Sequence, residues 1–147
     1  MPTCVVREWV DLYQVQRCLL AHARQVGFSR RECSELAIVG SELASNILKY
    51  GIRGTIETSR IEDAHGVGLH LVASDCGPPF HDLESALKDG WSDRGPINPV
   101  EMLRRKGIGG GLGAIVRLSH SFSVEPGAAG KRIHVRRYLR QPRASHP

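Results

Sequence analysis

Glu42, Asn46 and Lys49 stand at positions i, i+4 and i+7 of one stretch of the chain. On an α-helix that spacing gathers their polar ends on one side. They would flank an apolar stripe of Leu36, Gly40, Leu43 and Ile47. A carboxylate beside a carboxamide at the edge of a buried face suits a magnesium-phosphate site. The amide oxygen binds a hard cation, and the carboxylate orients or deprotonates a nucleophile. Taken alone, the same three residues also describe a solvated polar edge.

A second candidate is Asp75. Under strand alternation Val67, Leu69, Leu71, Ala73 and Asp75 point the same way, so an acid ends a core-facing row. Carboxylates are rarely buried without a partner, and the exocyclic amine of adenine is a suitable one. Guanine would instead set its carbonyl against the acid. Gly77, just beyond, lets the backbone approach a flat base closely. A simple turn over 75–79 is the alternative.

The third group is Gly107-Ile108-Gly109-Gly110-Gly111-Leu112-Gly113-Ala114, which opens a helix expected to run through Leu118. Glycines free backbone amides to wrap phosphate oxygens, and a helix start adds partial positive charge there. A P-loop is excluded, because no Gly-Lys-Ser or Gly-Lys-Thr is present. Gly109, Gly111 and Ala114 fit the dinucleotide fingerprint. However, Arg104-Arg105-Lys106 is no core strand, and no strand-borne acid follows at the required distance.

In order and spacing, Glu42-Leu43-Ala44-Ser45-Asn46, Asp75-Cys76-Gly77 and Gly109 to Gly113 resemble the boxes of the GHKL ATPases. The resemblance spans about 29–139. Within that superfamily, the run Asp82-Leu83-Glu84-Ser85-Ala86-Leu87-Lys88-Asp89-Gly90-Trp91-Ser92, with Gly111-Leu112-Gly113-Ala114, is similar to the anti-sigma-factor and switch-type serine/threonine kinases of bacterial stress-response modules. The resemblance implies a Bergerat-type two-layer α/β sandwich that binds ATP and Mg2+. Glu42 would be general base, Asn46 would bind magnesium and Lys49 would approach phosphate. Asp75 would accept from the adenine amine. Gly77, Gly107, Gly109, Gly110, Gly111, Leu112 and Gly113 would shape the pocket and its lid. It also implies a STAS-domain antagonist as phosphoryl acceptor, with a sigma factor or a phosphatase as further partners and a homodimer as one assembly. Three features depart from the family pattern. Pro79 replaces a second glycine. Lys131-Arg132 follows Gly130 where relatives often place a threonine near phosphate. The stretch 94–106 is longer than a compact lid.

The elements that must carry these residues are legible in outline. A strand is expected over 3–10, and a helix over 11–26 capped by Asp11 and ended by Gly27. A second helix starts at Ser29, with Glu32 completing a capping box, and stops at Gly51. Strands follow over 55–61 and 67–74. The segment 81–106 holds short helices near 82–88 and 100–105. After the glycine cluster and its helix, a hairpin pairs 122–125 with 133–139. This order is not the regular strand-helix alternation of a doubly wound sheet. An α+β fold, with a mixed, largely antiparallel sheet covered on one face by helices, fits better.

Composition sets the outer limits. The chain has 147 residues, 41% hydrophobic and 24% charged, which is the scale of one ordinary globular domain. We read 1–140 as that domain and 141–147 as a frayed basic tail. No stretch approaches the roughly 18 apolar residues of a membrane span, so a cytoplasmic protein with no membrane partner is expected. Four scattered cysteines suggest reduced, mostly buried thiols, and seven histidines lack metal-ligand spacing. The net charge of +5 favours an anionic ligand. Lys131, Arg132, Arg136, Arg137, Arg140 and Arg143 read as a solvated strand face and tail rather than a nucleic-acid patch. Full histidine kinases, gyrases and chaperone ATPases need segments for which this length has no room. The remaining rival to a kinase is a non-catalytic ATP-bound module that sequesters a sigma factor or activates a phosphatase. The presence of Glu42 favours catalysis.

Overall fold

A computed structural model describes residues 3–77, 91–92, 95–96, 111–127 and 130–139. Strand β1 (Thr3–Val6) leads into helix α1 (Asp11–Val26) and helix α2 (Arg30–Asn46). A π-helical turn, Ile47–Gly51, continues α2. Strands β2 (Gly54–Asp63) and β3 (Gly66–Asp75) follow, then the two-residue strands β4 (Trp91–Ser92) and β5 (Gly95–Pro96). Helix α3 (Leu112–Arg117) precedes β6 (Ser121–Gly127) and β7 (Gly130–Tyr138). The main sheet is five-stranded, in the order β1-β2-β3-β7-β6, and each of its pairings is antiparallel. The sheet expected to be mixed but largely antiparallel is antiparallel in all of these pairings. β4 pairs with β5 in a separate small ladder.

Helices and sheet form two layers around one apolar cluster. It joins Val15, Leu19 and Ala23 of α1, Leu36, Val39 and Leu43 of α2, Leu69, Leu71 and Ala73 of β3, and Ile133 and Val135 of β7. Each fully buried aliphatic side chain of this kind contributes about 1.5–3 kcal/mol. At Gly40 a Cβ would collide with Leu19, so the missing side chain is what lets α1 approach α2 this closely. Next to it, Gln16 Nε2 donates to Ser41 Oγ at 2.7 Å, and Ser41 Oγ donates to the Ala37 carbonyl at 3.0 Å. These contacts fix the rotation of α2 one residue before Glu42.

The helix signals hold at two of four ends. Ser29 and Glu32 form the expected capping box. Gly27 ends α1 at φ 114°, its amide bonding to the Ala23 and Arg24 carbonyls. Asp11 is not the N-cap. It is the first helical residue, and its carboxylate accepts from the Arg7 and Glu8 amides at 2.9 and 3.0 Å. Those bonds hold its carboxyl below the ordinary carboxylate value. They also close a turn that stops β1 at Val6 instead of residue 10. Gly51 does not end a plain α-helix either, because the last turn widens to π from Ile47. The short helices expected near 82–88 and 100–105, Pro79 and the tail from 141 lie outside the described residues.

The basic run of β7 is not one solvated face. Lys131 and Arg137 lie on its inward side, and Arg137 bonds to Glu35 at 3.1 Å and to the Leu118 carbonyl at 3.1 Å. Arg132 is exposed. All four cysteines are free. Cys4 and Cys33 are buried, Cys18 is half-buried and Cys76 is exposed. Burial, with a hydrogen bond to Cys18, pushes the Cys4 thiol up to about 11.

Candidate active site

Glu42 and Asn46 sit one turn apart near the C-terminal end of α2, and both are buried. Lys49 is half-buried in the π turn. A π turn advances through a smaller angle per residue than an α turn, so Lys49 is rotated from the position that α-helical spacing assigned it. Asn46 Nδ2 is the buried side-chain atom without a hydrogen-bond partner among the described residues. Such an atom costs stability unless something arrives to bond it.

The π turn leads from Asn46 toward the strand end that carries Asp75. After the π turn, which packs on β3, Gly54 opens β2 directly opposite Asp75. Gly54 has no room for a side chain, since a Cβ would strike the Ser74 carbonyl. On the other side of β3, Lys131 of β7 pairs with Asp75, and a Cβ on the adjacent Gly130 would strike the Asp75 carbonyl. Three strand ends are thus clamped together around one acid.

Asp75 is buried as the alternation requires, and it has an internal partner. Lys131 Nζ lies 3.2 Å from Oδ1 and 3.1 Å from Oδ2, with both side chains about 1% exposed. The Gly77 amide also donates to Oδ1, at 2.8 Å. Gly77 therefore orients the acid in a tight turn of its own backbone. Lys131 was the residue that sequence reasoning missed. Its signal was present, because Lys131, Ile133 and Val135 alternate inward just as Leu71, Ala73 and Asp75 do.

Of the glycine cluster, Gly111, Leu112 and Gly113 are described, whereas Gly107, Gly109 and Gly110 lie outside the described residues. Gly111 caps α3 at φ 70° and ψ −136°, a backbone conformation open to glycine and little else. Leu112 and Gly113 are buried, and Leu112 belongs to the core cluster. A contact from Leu112 to a ligand would therefore be made by its backbone, while its side chain anchors α3. That helix packs on α2. No group of three or more His, Cys, Asp or Glu side chains among the described residues is arranged to hold a metal.

A separate polar chain crosses the outer face of the sheet. His70 Nε2 meets His134 Nδ1 at 3.1 Å, and His134 Nε2 meets Glu125 at 3.0 Å. Burial, aided by the nearby Arg136 charge, holds His70 below the ordinary histidine value.

A buried acid-amide pair on a helix, beside an acid-ended strand and a glycine-capped third helix, is the arrangement tested by comparison with known proteins. The sequence profile of the histidine kinase-like ATPase domain matches residues 7–137. The chain belongs to the histidine kinase-like ATPase family. Among curated relatives, it is 29% identical over 137 residues to the serine/threonine-protein kinase RsbT of Bacillus subtilis (strain 168), covering 92% of this chain and 94% of RsbT. Among solved structures, a chain of the SiaB-SiaC complex from Pseudomonas aeruginosa shares the fold, with a TM-score of 0.54 and 15% identity. The match covers 93% of this chain and 89% of that one. The histidine kinase-like ATPase match runs from the turn after β1 to the penultimate residue of β7, so it takes in α2, β3 and α3 together.

Proposed function

We propose that the protein is an ATP-dependent serine/threonine kinase that phosphorylates a small STAS-type partner protein in a partner-switching pathway. The observation that carries this reading is the buried pair Glu42 and Asn46, one turn apart, with the Asn46 Nδ2 lacking a partner among the described residues. Similarity to RsbT, a serine/threonine kinase by name, supports the class of reaction. The likeness to a chain from a two-protein complex accords with a protein partner.

The residues present fit a magnesium nucleotide. Asn46 offers a buried Nδ2 without a partner among the described residues, a donor suited to a phosphate oxygen, and its amide oxygen is a suitable hard-cation ligand. Bound magnesium neutralises charge on the phosphate oxygens. Asp75, an ionised acceptor locked by Gly77 and Lys131, would take the amine of the base. Backbone amides of the segment around Gly111 would face phosphate. Glu42 would then accept the proton of the partner's serine or threonine hydroxyl as that oxygen attacks the terminal phosphorus. One P–O bond forms to the partner, the bond to the bridging oxygen breaks, and ADP leaves. Such transfer depends mainly on positioning and charge, which is what a clamped set of strand and helix ends provides.

The experiment is incubation of the protein with ATP labelled in its terminal phosphate and with STAS domains from the same source. Label on a serine or threonine of the partner is expected. A protein that binds ATP and its partner yet leaves the partner unlabelled would be the passive module instead, with a sigma factor or a phosphatase as its client.

A further inference from the structure

We propose that Arg137 is a positioning residue for phosphoryl transfer. It fastens the C-terminal end of α3 to the face of α2 that carries Glu42 and Asn46, and so sets where the Gly111 end of α3 meets phosphate. The inference rests on the kinase reading above and adds a residue that acts through α3 rather than by touching the nucleotide.

The last carbonyls of a helix have no partner within it, and a cation is favoured beside them. Arg137 Nη1 donates to the carbonyl of Leu118, the C-cap of α3, at 3.1 Å. Its Nη2 donates to Glu35 Oε1 at 3.1 Å and lies 4.0 Å from Glu32 Oε2. One guanidinium thus joins β7, α3 and α2, with its side chain only 12% exposed. Its planar fork fixes direction as well as distance, which a flexible ammonium would not.

Direction matters for α3, because the helix has six residues and is seated by Leu112, Ala114 and Ile115 in the apolar layer. Apolar burial is non-directional, so it holds α3 against α2 without fixing its tilt. The Arg137 bonds supply that direction at one end. At the other end stands Gly111, in the segment whose amides would face phosphate. The stiff helix between them spans about 10 Å. Glu35 lies two turns before Glu42, on the same face of α2, so the fastening is built on the face that presents the proposed base. A loosened C-terminal end would carry its shift to Gly111, and a misplacement of about 1 Å at a reacting group can cost about a hundredfold in rate.

The test uses the full-length protein with Arg137→Met, which keeps the stem of the side chain and removes its donors. Magnesium-ATP is titrated in while amide NMR signals are followed for Gly77, beside Asp75, and for Gly111 and Gly113 of α3. In the wild type all three should shift. Arg137→Met should bind ATP at least about tenfold more weakly, and at saturation should keep the Gly77 shift while losing the wild-type shifts of Gly111 and Gly113. General damage to the fold would alter all three together. Unchanged ATP affinity, or loss at all three glycines, would overturn the proposal. Glu35→Ala, which removes the α2 end of the fastening at a side chain 24% exposed, reads the same contrast if Arg137→Met does not fold. A wild type in which ATP leaves only Gly111 and Gly113 unshifted removes this inference alone. One that binds no nucleotide removes the kinase reading as well.

Discussion

Asn46 occupies an unusual position for an asparagine: buried on α2, with an Nδ2 that meets no acceptor among the described residues. Leaving a buried donor unbonded costs about 1–3 kcal/mol. Removing the amide should therefore cost the free protein little. Asn46→Ala is expected to leave the melting temperature within a few degrees of wild type while weakening magnesium-dependent ATP binding at least about tenfold, the loss expected for a charge-assisted contact. Calorimetry with and without magnesium checks this, and unchanged affinity would place the metal elsewhere. Burial of Asp75 was legible from strand alternation, whereas Glu42 and Asn46 read as the polar edge of the apolar stripe and are in fact buried. The partner of Asp75 was not legible, because Lys131 was grouped with its basic neighbours instead of being tested against the alternation of its own strand. A lone lysine in a core-facing row asks for an acid just as a lone acid asks for a donor.

At the scale of elements, the capping box at Ser29 and the left-handed Gly27 end were readable because each rests on local chemistry. The π turn was not, since nothing in Ile47-Leu48-Lys49-Tyr50-Gly51 distinguishes it from a further α turn. Its exit carries strain. Ile52 has φ 71° and ψ −66°, the conformation of a rare γ-turn, and is the non-glycine residue at positive φ among the described residues. A β-branched residue held there costs about 1–3 kcal/mol. The Ile52 side chain is 70% exposed, so its packing contributes little. Ile52→Gly should relieve the strain, less the roughly 0.5–1 kcal/mol that glycine loses in chain entropy. The net expectation is a gain of about 1 kcal/mol, or about 2–4 °C in thermal unfolding. A lower melting temperature would mean that the turn is not strained. The same variant loosens the link between Asn46 and Gly54, which joins the two halves of the candidate site.

For the whole molecule, the element order already excluded a doubly wound sheet, and the antiparallel order β1-β2-β3-β7-β6 with helices against it follows from two hairpins and a pair of packed helices. What joins the hairpins is not local. β7 inserts beside β3 across 56 residues of sequence, and the Asp75–Lys131 pair marks that junction. Alternation gives each strand its buried face, but it does not say which strand lies next to which. The account requires this architecture to bring a general base to a nucleotide and a partner hydroxyl together. That claim is tested most directly by single-turnover transfer of the labelled terminal phosphate from ATP to the STAS partner, comparing wild type with Glu42→Gln. Glutamine keeps the volume and an oxygen acceptor but cannot take the proton. The transfer rate should fall by about 10² to 10⁴ while ATP affinity stays near wild type. Transfer by Glu42→Gln at the wild-type rate would contradict the mechanism, even with nucleotide bound.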